Sequence, residues 1–334
     1  MTGAAVAHTV MQIQQSHSVL TPGSPETRLI DRLWNAMYFT SVVVFLLVVV
    51  ALLWAVFRRR TAEASAAAAA PATSPERERR LTTAVGVATG LTVLILFGFL
   101  VSDISAGRQL TKNPGDQALQ IRVTGHQWWW EVQYRDSIAQ NWVTTANEIH
   151  VPAGRPVVLE LRSTDVIHSF WPPSLSQKRD LIPGDANSLW FQADTPGVYR
   201  GQCLEYCGLQ HAKMGFLVLA DAPADFATWL AGQRDTARTP TDSVTRRGQE
   251  VFLASSCVMC HAIGGTPAGS RIGPDLTHLA SRQTIAAGTL PNTRGNLAGW
   301  ILNPQAIKPG TRMPPNQFSP DDLLALLTYL ETLK

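Results

Sequence analysis

The 334-residue chain has no cysteine to spare. Its four cysteines all fall in two short signatures, Cys203 and Cys207 in CLEYCGLQHAKM and Cys257 and Cys260 in CVMCH. None is left for a structural disulfide framework. Strong charge of either sign is also lacking. Lys and Arg total 28 against 25 Asp and Glu, a net charge of +3. No basic run lies beside stacking aromatics outside the apolar segments, so nucleic acid is excluded as a partner. Charge is absent altogether from residues 35–57 and 81–101. Helices of about 23 and about 21 residues rise roughly 34 and 31 Å, the thickness of a bilayer's hydrocarbon core. A soluble helix rarely stays uncharged for so long, so the chain is expected to span a membrane twice. The first thirty residues lack the basic start and apolar core of a cleavable signal, and the first span is expected to do the targeting.

The connection between the spans begins with Arg58, Arg59 and Arg60 and ends with Arg77, Arg79 and Arg80. Such a basic loop stays on the cytoplasmic side, which places both termini, and everything after about residue 102, outside. Its low-complexity middle, AEASAAAAAPATSP, reads as a flexible hairpin loop. Residues 1–115 therefore form an N-terminal segment with a transmembrane hairpin. Over residues 116–222 short β-runs alternate with Gly and Pro: ALQIRVTG, EIHVPAG, PVVLELRS, NSLWFQAD, GVYRGQC and GFLVLAD. Their spacing predicts an all-β, cupredoxin-like sandwich. Residues 223–242 read as a linker, with PADFATWLAG as a short helix before the polar RDTARTPTDS. Residues 243–334 turn helical, ending in DDLLALLTYLETL with Ser319 as N-cap, Pro320 in the first turn and Asp322 completing a capping box. So small an all-α domain makes a modest core, and a covalent haem would supply much of its interior.

Cys203, Cys207, His211 and Met214 lie within twelve residues, and His168 lies upstream in DVIHSFWPPS, at the end of a predicted strand. Soft thiolate, thioether and imidazole donors suit copper. A mononuclear blue site uses one cysteine, so the second thiolate points to two metals bridged by both sulfurs, with one imidazole on each. Met214 would be a weak axial ligand on one copper, and the backbone carbonyl of Glu205 would serve the other. A tetrahedral zinc site or a Cys203–Cys207 disulfide also satisfies the spacing.

CVMCH is the run that attaches a c-type haem, with thioethers from Cys257 and Cys260 and His261 as proximal iron ligand. Met259 sits inside the motif and cannot reach the other haem face. That leaves Met313, in KPGTRMPPN, as the distal ligand, and Met/His ligation gives the high potential that electron-transfer cytochromes need. His278, after IGPDL, is the competing candidate and reads as a surface or packing residue.

TGHQWWWEVQY, DVIHSFWPPSLSQKRDLIPG and CLEYCGLQHAKM together resemble the cytochrome c oxidase subunit II family over about residues 18–222. The segment 243–334, with CVMCH, IGPDL, GTRMPP and an amphipathic last helix, is similar to class I cytochrome c. Fused, the two resemble the caa-type oxidases of bacteria. The resemblance implies a dinuclear CuA centre on His168, Cys203, Glu205 (by its carbonyl), Cys207, His211 and Met214. It also implies a Glu205 carboxylate turned toward a magnesium shared with subunit I. Trp128, from the run Trp128–Trp129–Trp130, would be where electrons enter from cytochrome c. At least one tryptophan of that run is expected to be a core aromatic, and His126 and His150 are expected to be structural or surface residues rather than ligands. Glu78 stands near the family's glutamate at a proton-pathway mouth, but its arginine-rich neighbours depart from the pattern and a solvated loop charge fits equally. The implied partners are subunit I, subunit III, membrane lipid and an external donor such as cytochrome c or a quinol–cytochrome c reductase. The implied place is a bacterial inner membrane with both redox domains outside. The copper ligands argue against quinol as direct donor. A CuA-type nitric oxide reductase subunit, or a membrane-tethered electron-transfer protein without a catalytic partner, would share these sites.

Overall fold

The computed structural model describes residues 17–63, 74–112, 114–135 and 142–334. The alanine-rich middle of the inter-span loop and the first sixteen residues, read above as a hairpin loop and as lacking a signal, lie outside the described residues. The chain divides into two units, Arg28–Lys112 and the remainder.

The first unit is built on two long helices, α1 (Pro25–Glu63) and α2 (Pro75–Leu110). Both are long and apolar enough to cross a membrane. Leu46, Leu47 and Phe97 along them are more than half exposed, as lipid-facing side chains would be. Ser74 caps α2 by accepting from the Arg77 amide, Pro75 follows at the first helical position, and Glu76 and Glu78 complement the helix dipole in the first turn.

The second unit opens with residues 17–27, which run along the outer domain. The Gly23 amide donates to the Ser174 carbonyl at 2.7 Å, and the Ser24 hydroxyl to that of Leu175 at 2.7 Å. Ten strands follow. One five-stranded sheet runs in the order β3-β2-β1-β5-β8, with β1 Leu119–His126, β2 Trp129–Arg135, β3 Trp142–Ala146, β5 Val157–Ser163 and β8 Asn187–Phe191. The other runs β4-β10-β9-β6-β7, with β4 Glu148–Pro152, β6 His168–Trp171, β7 Arg179–Leu181, β9 Gly197–Cys203 and β10 Gly215–Asp221. Alternating residues such as Val123, Val132, Leu159 and Leu161 are buried between the sheets, the period-two pattern of a sandwich. Fully buried Trp130 meets Phe170 and Phe216 edge-on at 5.9 and 5.3 Å, so it is the core aromatic expected of the tryptophan run. His168 opens a strand rather than closing one.

Residues 223–232, counted above within the linker, form α3 (Pro223–Gly232) and close the sandwich. Phe226 joins its core, and Trp229 stacks on His150 at 4.0 Å. The segment is amphipathic, and the sandwich offers the apolar face it needs.

The C-terminal domain is helical, with α4 (Ser243–Ala254), α5 (Arg294–Leu302), α6 (Pro304–Ile307) and α7 (Pro320–Leu330) and a two-residue hairpin, β11 Thr284–Ile285 with β12 Leu290–Pro291. Helices α4 and α7 cross so closely at Gly248 that an added Cβ would lie 2.0 Å from the Ala325 carbonyl oxygen. Only glycine fits there. Ser319 caps α7 by accepting from the Asp322 amide at 3.1 Å. The Asp322 carboxylate, expected to complete the capping box, instead takes Arg247 Nε and NH2 at 2.9 and 2.8 Å, tying α7 to α4.

Candidate copper and haem centres

The copper donors gather at one end of the sandwich. His168 begins β6, Cys203 ends the neighbouring β9, and the loop after β9 carries Glu205, Cys207, His211 and Met214. The Cys203 and Cys207 sulfurs lie 3.8 Å apart. That is far beyond the ~2.05 Å of a disulfide bond, and both cysteines are free. His168 Nδ1 stands 3.9 Å from Cys203 Sγ, and His211 Nδ1 stands 3.6 Å from Cys207 Sγ. Met214 Sδ is 3.8 Å from Cys207 Sγ, and the Glu205 carbonyl oxygen is 3.3 Å from Cys203 Sγ. His168, Cys203, Cys207 and Met214 are buried. Each sulfur therefore has one imidazole beside it, with a thioether and a carbonyl at the flanks. This donor set fits two soft metal ions sharing two thiolates, and the methionine and bare carbonyl are donors a structural zinc site does not use.

Of the two thiols, Cys203 is the one poised for deprotonation. Cys203 is drawn down to about 4, chiefly by its hydrogen bond with Cys207 and further by His168, and Cys207 is pushed up in turn. A bound cation would favour the thiolate form of both. Asp165 takes His168 Nε2 at 2.8 Å, which leaves Nδ1 aimed at the sulfurs. Burial raises the Asp165 carboxyl, but the bonds from His168 and from the Val166 and Gln127 amides outweigh it and hold it at about 2. Gly125 lets the ring lie flat against β1, where a Cβ would come within 2.7 Å of His168 Cδ2.

Trp128 is buried beside this loop, and its indole N–H donates to the Cys207 carbonyl at 2.9 Å. Gln127 Nε2 donates to the same oxygen at 2.8 Å. His126 bonds Glu131 and Thr164 and stacks on Trp129, and His150 bonds Asp221, so both have structural partners as expected. The Glu205 carboxylate is half-exposed, 3.4 Å from Lys178 Nζ. Glu78 is exposed in the first turn of α2.

A cavity of about 380 Å³ lies in the C-terminal domain, lined by Cys257, Cys260, His261 and Met313. His261 Nδ1 meets the Pro274 carbonyl at 2.7 Å, so Nδ1 carries the proton and Nε2 is left as the ligating nitrogen. Gly273 packs on the ring, where a Cβ would come within 2.8 Å of Cε1. Burial pushes the His261 imidazole down, which keeps it neutral and able to bind a metal. Attachment cysteines, an oriented imidazole and a methionine around one apolar void fit a covalent haem. His278 is buried and does not line this cavity, whereas Met313 does. Met259 is 69% exposed at the cavity's edge.

One wall of the cavity comes from the sandwich: Trp128, Trp129 and Asn147 line it too. Sequence reasoning missed the residues that make this junction. Lys308 is 2% exposed, and its ammonium donates to the carbonyls of Trp128 (3.0 Å) and Ala286 (3.2 Å). Burial brings it down to about 7. Glu148, buried on β4, accepts from the Thr284 amide and hydroxyl at 2.8 and 3.1 Å.

Two family models match the chain. Cytochrome c oxidase subunit II, periplasmic domain, covers residues 138–220, and cytochrome c covers residues 245–334. The cytochrome c oxidase subunit 2 of Alkalihalophilus pseudofirmus is 40% identical over 221 residues, which are 66% of this chain and 63% of that protein. The chain thus spans somewhat under two thirds of that relative's length. The same subunit from Bacillus sp. (strain PS3) is 31% identical over 253 residues, 72% of this chain and 68% of that protein. Among solved structures, the periplasmic domain of subunit II of cytochrome oxidase (CoxB) of Bradyrhizobium japonicum is 30% identical with a TM-score of 0.34, covering 36% of this chain and 96% of that one.

Proposed function

Because the chain belongs to the cytochrome c oxidase subunit II family, we propose that it receives electrons for a bacterial caa-type oxidase. In this reading an external donor, such as cytochrome c or a quinol–cytochrome c reductase, delivers electrons to a haem c on the C-terminal domain. From there they would pass to a CuA centre on the sandwich and on to haem a in subunit I, where oxygen would be reduced. The observation that carries the reading is the shared cavity wall. The void bearing the haem-attachment motif is bounded by Trp128, whose indole holds the carbonyl of Cys207 in the copper loop.

Bound copper and haem supply one-electron transfer, and the chain's residues hold and shield them. Cys203, Cys207, His168, His211, Met214 and the Glu205 carbonyl are the groups that would hold the copper. Asp165 fixes the His168 ring, and the sandwich core excludes water behind it. A site held this firmly changes little between oxidation states, which keeps reorganisation small. Cys257 and Cys260 would anchor a haem and His261 and Met313 would hold its iron, with the Pro274 carbonyl setting the His261 tautomer. The half-exposed Glu205 carboxylate is proposed to meet a magnesium at the boundary with subunit I. Subunit III and membrane lipid would surround α1 and α2, with both redox domains on the outer face.

Metal analysis with optical and EPR spectroscopy on the purified full chain tests the assignment. Two coppers and one haem per chain, with an unpaired electron shared over both coppers, are expected. Haem without copper, or zinc in its place, would defeat the oxidase reading. Turnover of the purified complex with oxygen rather than nitric oxide identifies the acceptor.

A further inference from the structure

Ile307, Lys308, Pro309, Gly310 and Arg312, just before Met313, each touch the copper loop or residues 127–128. The Lys213 ammonium donates to the Ile307 carbonyl, and Gln210 Nε2 donates to that of Pro309 at 2.6 Å. Lys308 donates to the Trp128 carbonyl. Gly310, at φ +83°, presses on Leu209, where a Cβ would come within 2.7 Å of Cδ1. Arg312 NH2 donates to Gln127 Oε1 at 2.9 Å. The residues gripped are the ones that grip the copper loop, since Gln127 and Trp128 both donate to the Cys207 carbonyl. On the other flank the Gly215 amide donates to the Ala287 carbonyl at 3.0 Å and Glu148 holds Thr284. A transient docking surface is polar and wet at its rim. Here a lysine and a glutamate are buried with their bonds made, and a buried polar group stripped of its partners is costly.

We propose that residues 307–312 are a clamp that fixes the C-terminal domain on the copper loop in a single register, with Lys308 as its positioning residue. The domain then does not swing on its tether. Arg312 and Gln127 join the backbone beside Met313 to the backbone of Cys207 through two hydrogen bonds. The C-terminal domain covers Trp128, whose indole holds the copper loop. The proposal rests on the assignment of haem to Cys257, Cys260, His261 and Met313 and of copper to the Cys203–Met214 loop.

The test uses the full chain in detergent, as wild type and as Lys308→Met, which keeps length and removes the donor. Hydrogen exchange at the Gly215 and Thr284 amides reports the junction, and that of Tyr199, inside the sandwich, serves as control. In the wild type the junction amides are expected to be protected, and in Lys308→Met to exchange roughly 10- to 100-fold faster with Tyr199 unchanged. In the loaded chain, one electron is placed on the haem by a photoexcited ruthenium complex and its passage to copper is timed. A fixed register gives a single rate that is unaffected by added sucrose. Lys308→Met should make it viscosity-dependent, which simple loss of stability would not. Should that variant fail to fold, Arg312→Gln, at an exposed position, is read the same way with a smaller effect. Unprotected junction amides, or a viscosity-dependent rate in the wild type, would overturn the clamp. An unchanged Lys308→Met would overturn it too. A chain that loads neither copper nor haem defeats the functional reading instead, while amide exchange still reports on the clamp.

Discussion

Cys207→Ser is expected to abolish the delocalised copper signal and reduce copper below two per chain. Cys207 Sγ sits at the centre of the donor set, 3.8 Å from Cys203 Sγ, 3.6 Å from His211 Nδ1 and 3.8 Å from Met214 Sδ. A serine hydroxyl is a hard donor that stays protonated at neutral pH, so it can neither bridge two soft ions nor neutralise them. The loss should exceed the roughly 10- to 100-fold effect on affinity or activity typical of removing an outer-shell partner. Oxygen uptake supported by an external donor should fall with it. The fold should survive, because the Gln127 and Trp128 bonds go to the backbone carbonyl of residue 207 and the core aromatics are untouched. Copper content, EPR and the haem spectrum of one preparation check this together: copper lost, haem retained. Two coppers with an unaltered spectrum would refute the bridging role.

His261→Ala is expected to give the converse result. On the proposed assignment the haem should stay attached through Cys257 and Cys260, while its iron should lose the imidazole that the Pro274 carbonyl orients. Its low-spin spectrum should disappear, since one axial ligand cannot maintain it, and the potential set by Met/His ligation should shift. Donor-driven turnover should fall by roughly 100-fold or more, on the same scale of outer-shell losses as a lower bound. The copper signal should be unchanged, because His261 touches none of its donors. Persistence of full donor-driven turnover, with the haem spectrum altered, would mean electrons reach copper without the C-terminal domain.

Much of this was legible in the sequence because the chemistry is local. CVMCH and CLEYCGLQHAKM place most of their donors within twelve residues, and the structure needs only one turn or one loop to bring those together. The spans and six of the ten strands were equally plain, since each carries its own charge gap or period-two pattern. What escaped depends on contacts between distant segments. Lys308 and Arg312 in KPGTR, and Glu148 in EIHVPAG, carry no local sign of a junction. Their roles come from the packing of two domains, which no local pattern encodes. Asp165 did leave a signal, standing three residues before His168, but an Asp near a His is too common to single out. The Asp322 carboxylate had two suitors, and the interhelical arginine won over the helix's own amide. Helix α3 was expected as a helix, yet its place on the sandwich rested on Phe226 and Trp229 finding an apolar face.

The burial of Lys308 and Glu148 has a bearing on ionic strength. Mobile ions screen charges that water can reach and leave dry contacts nearly untouched, with a Debye length of about 8 Å in physiological salt. Delivery to the exposed edge near Met259 should therefore respond to added salt as ordinary protein encounters do. Passage across the buried junction should not. On the proposed path, added salt should change the rate of the donor encounter and leave the rate across the junction unchanged.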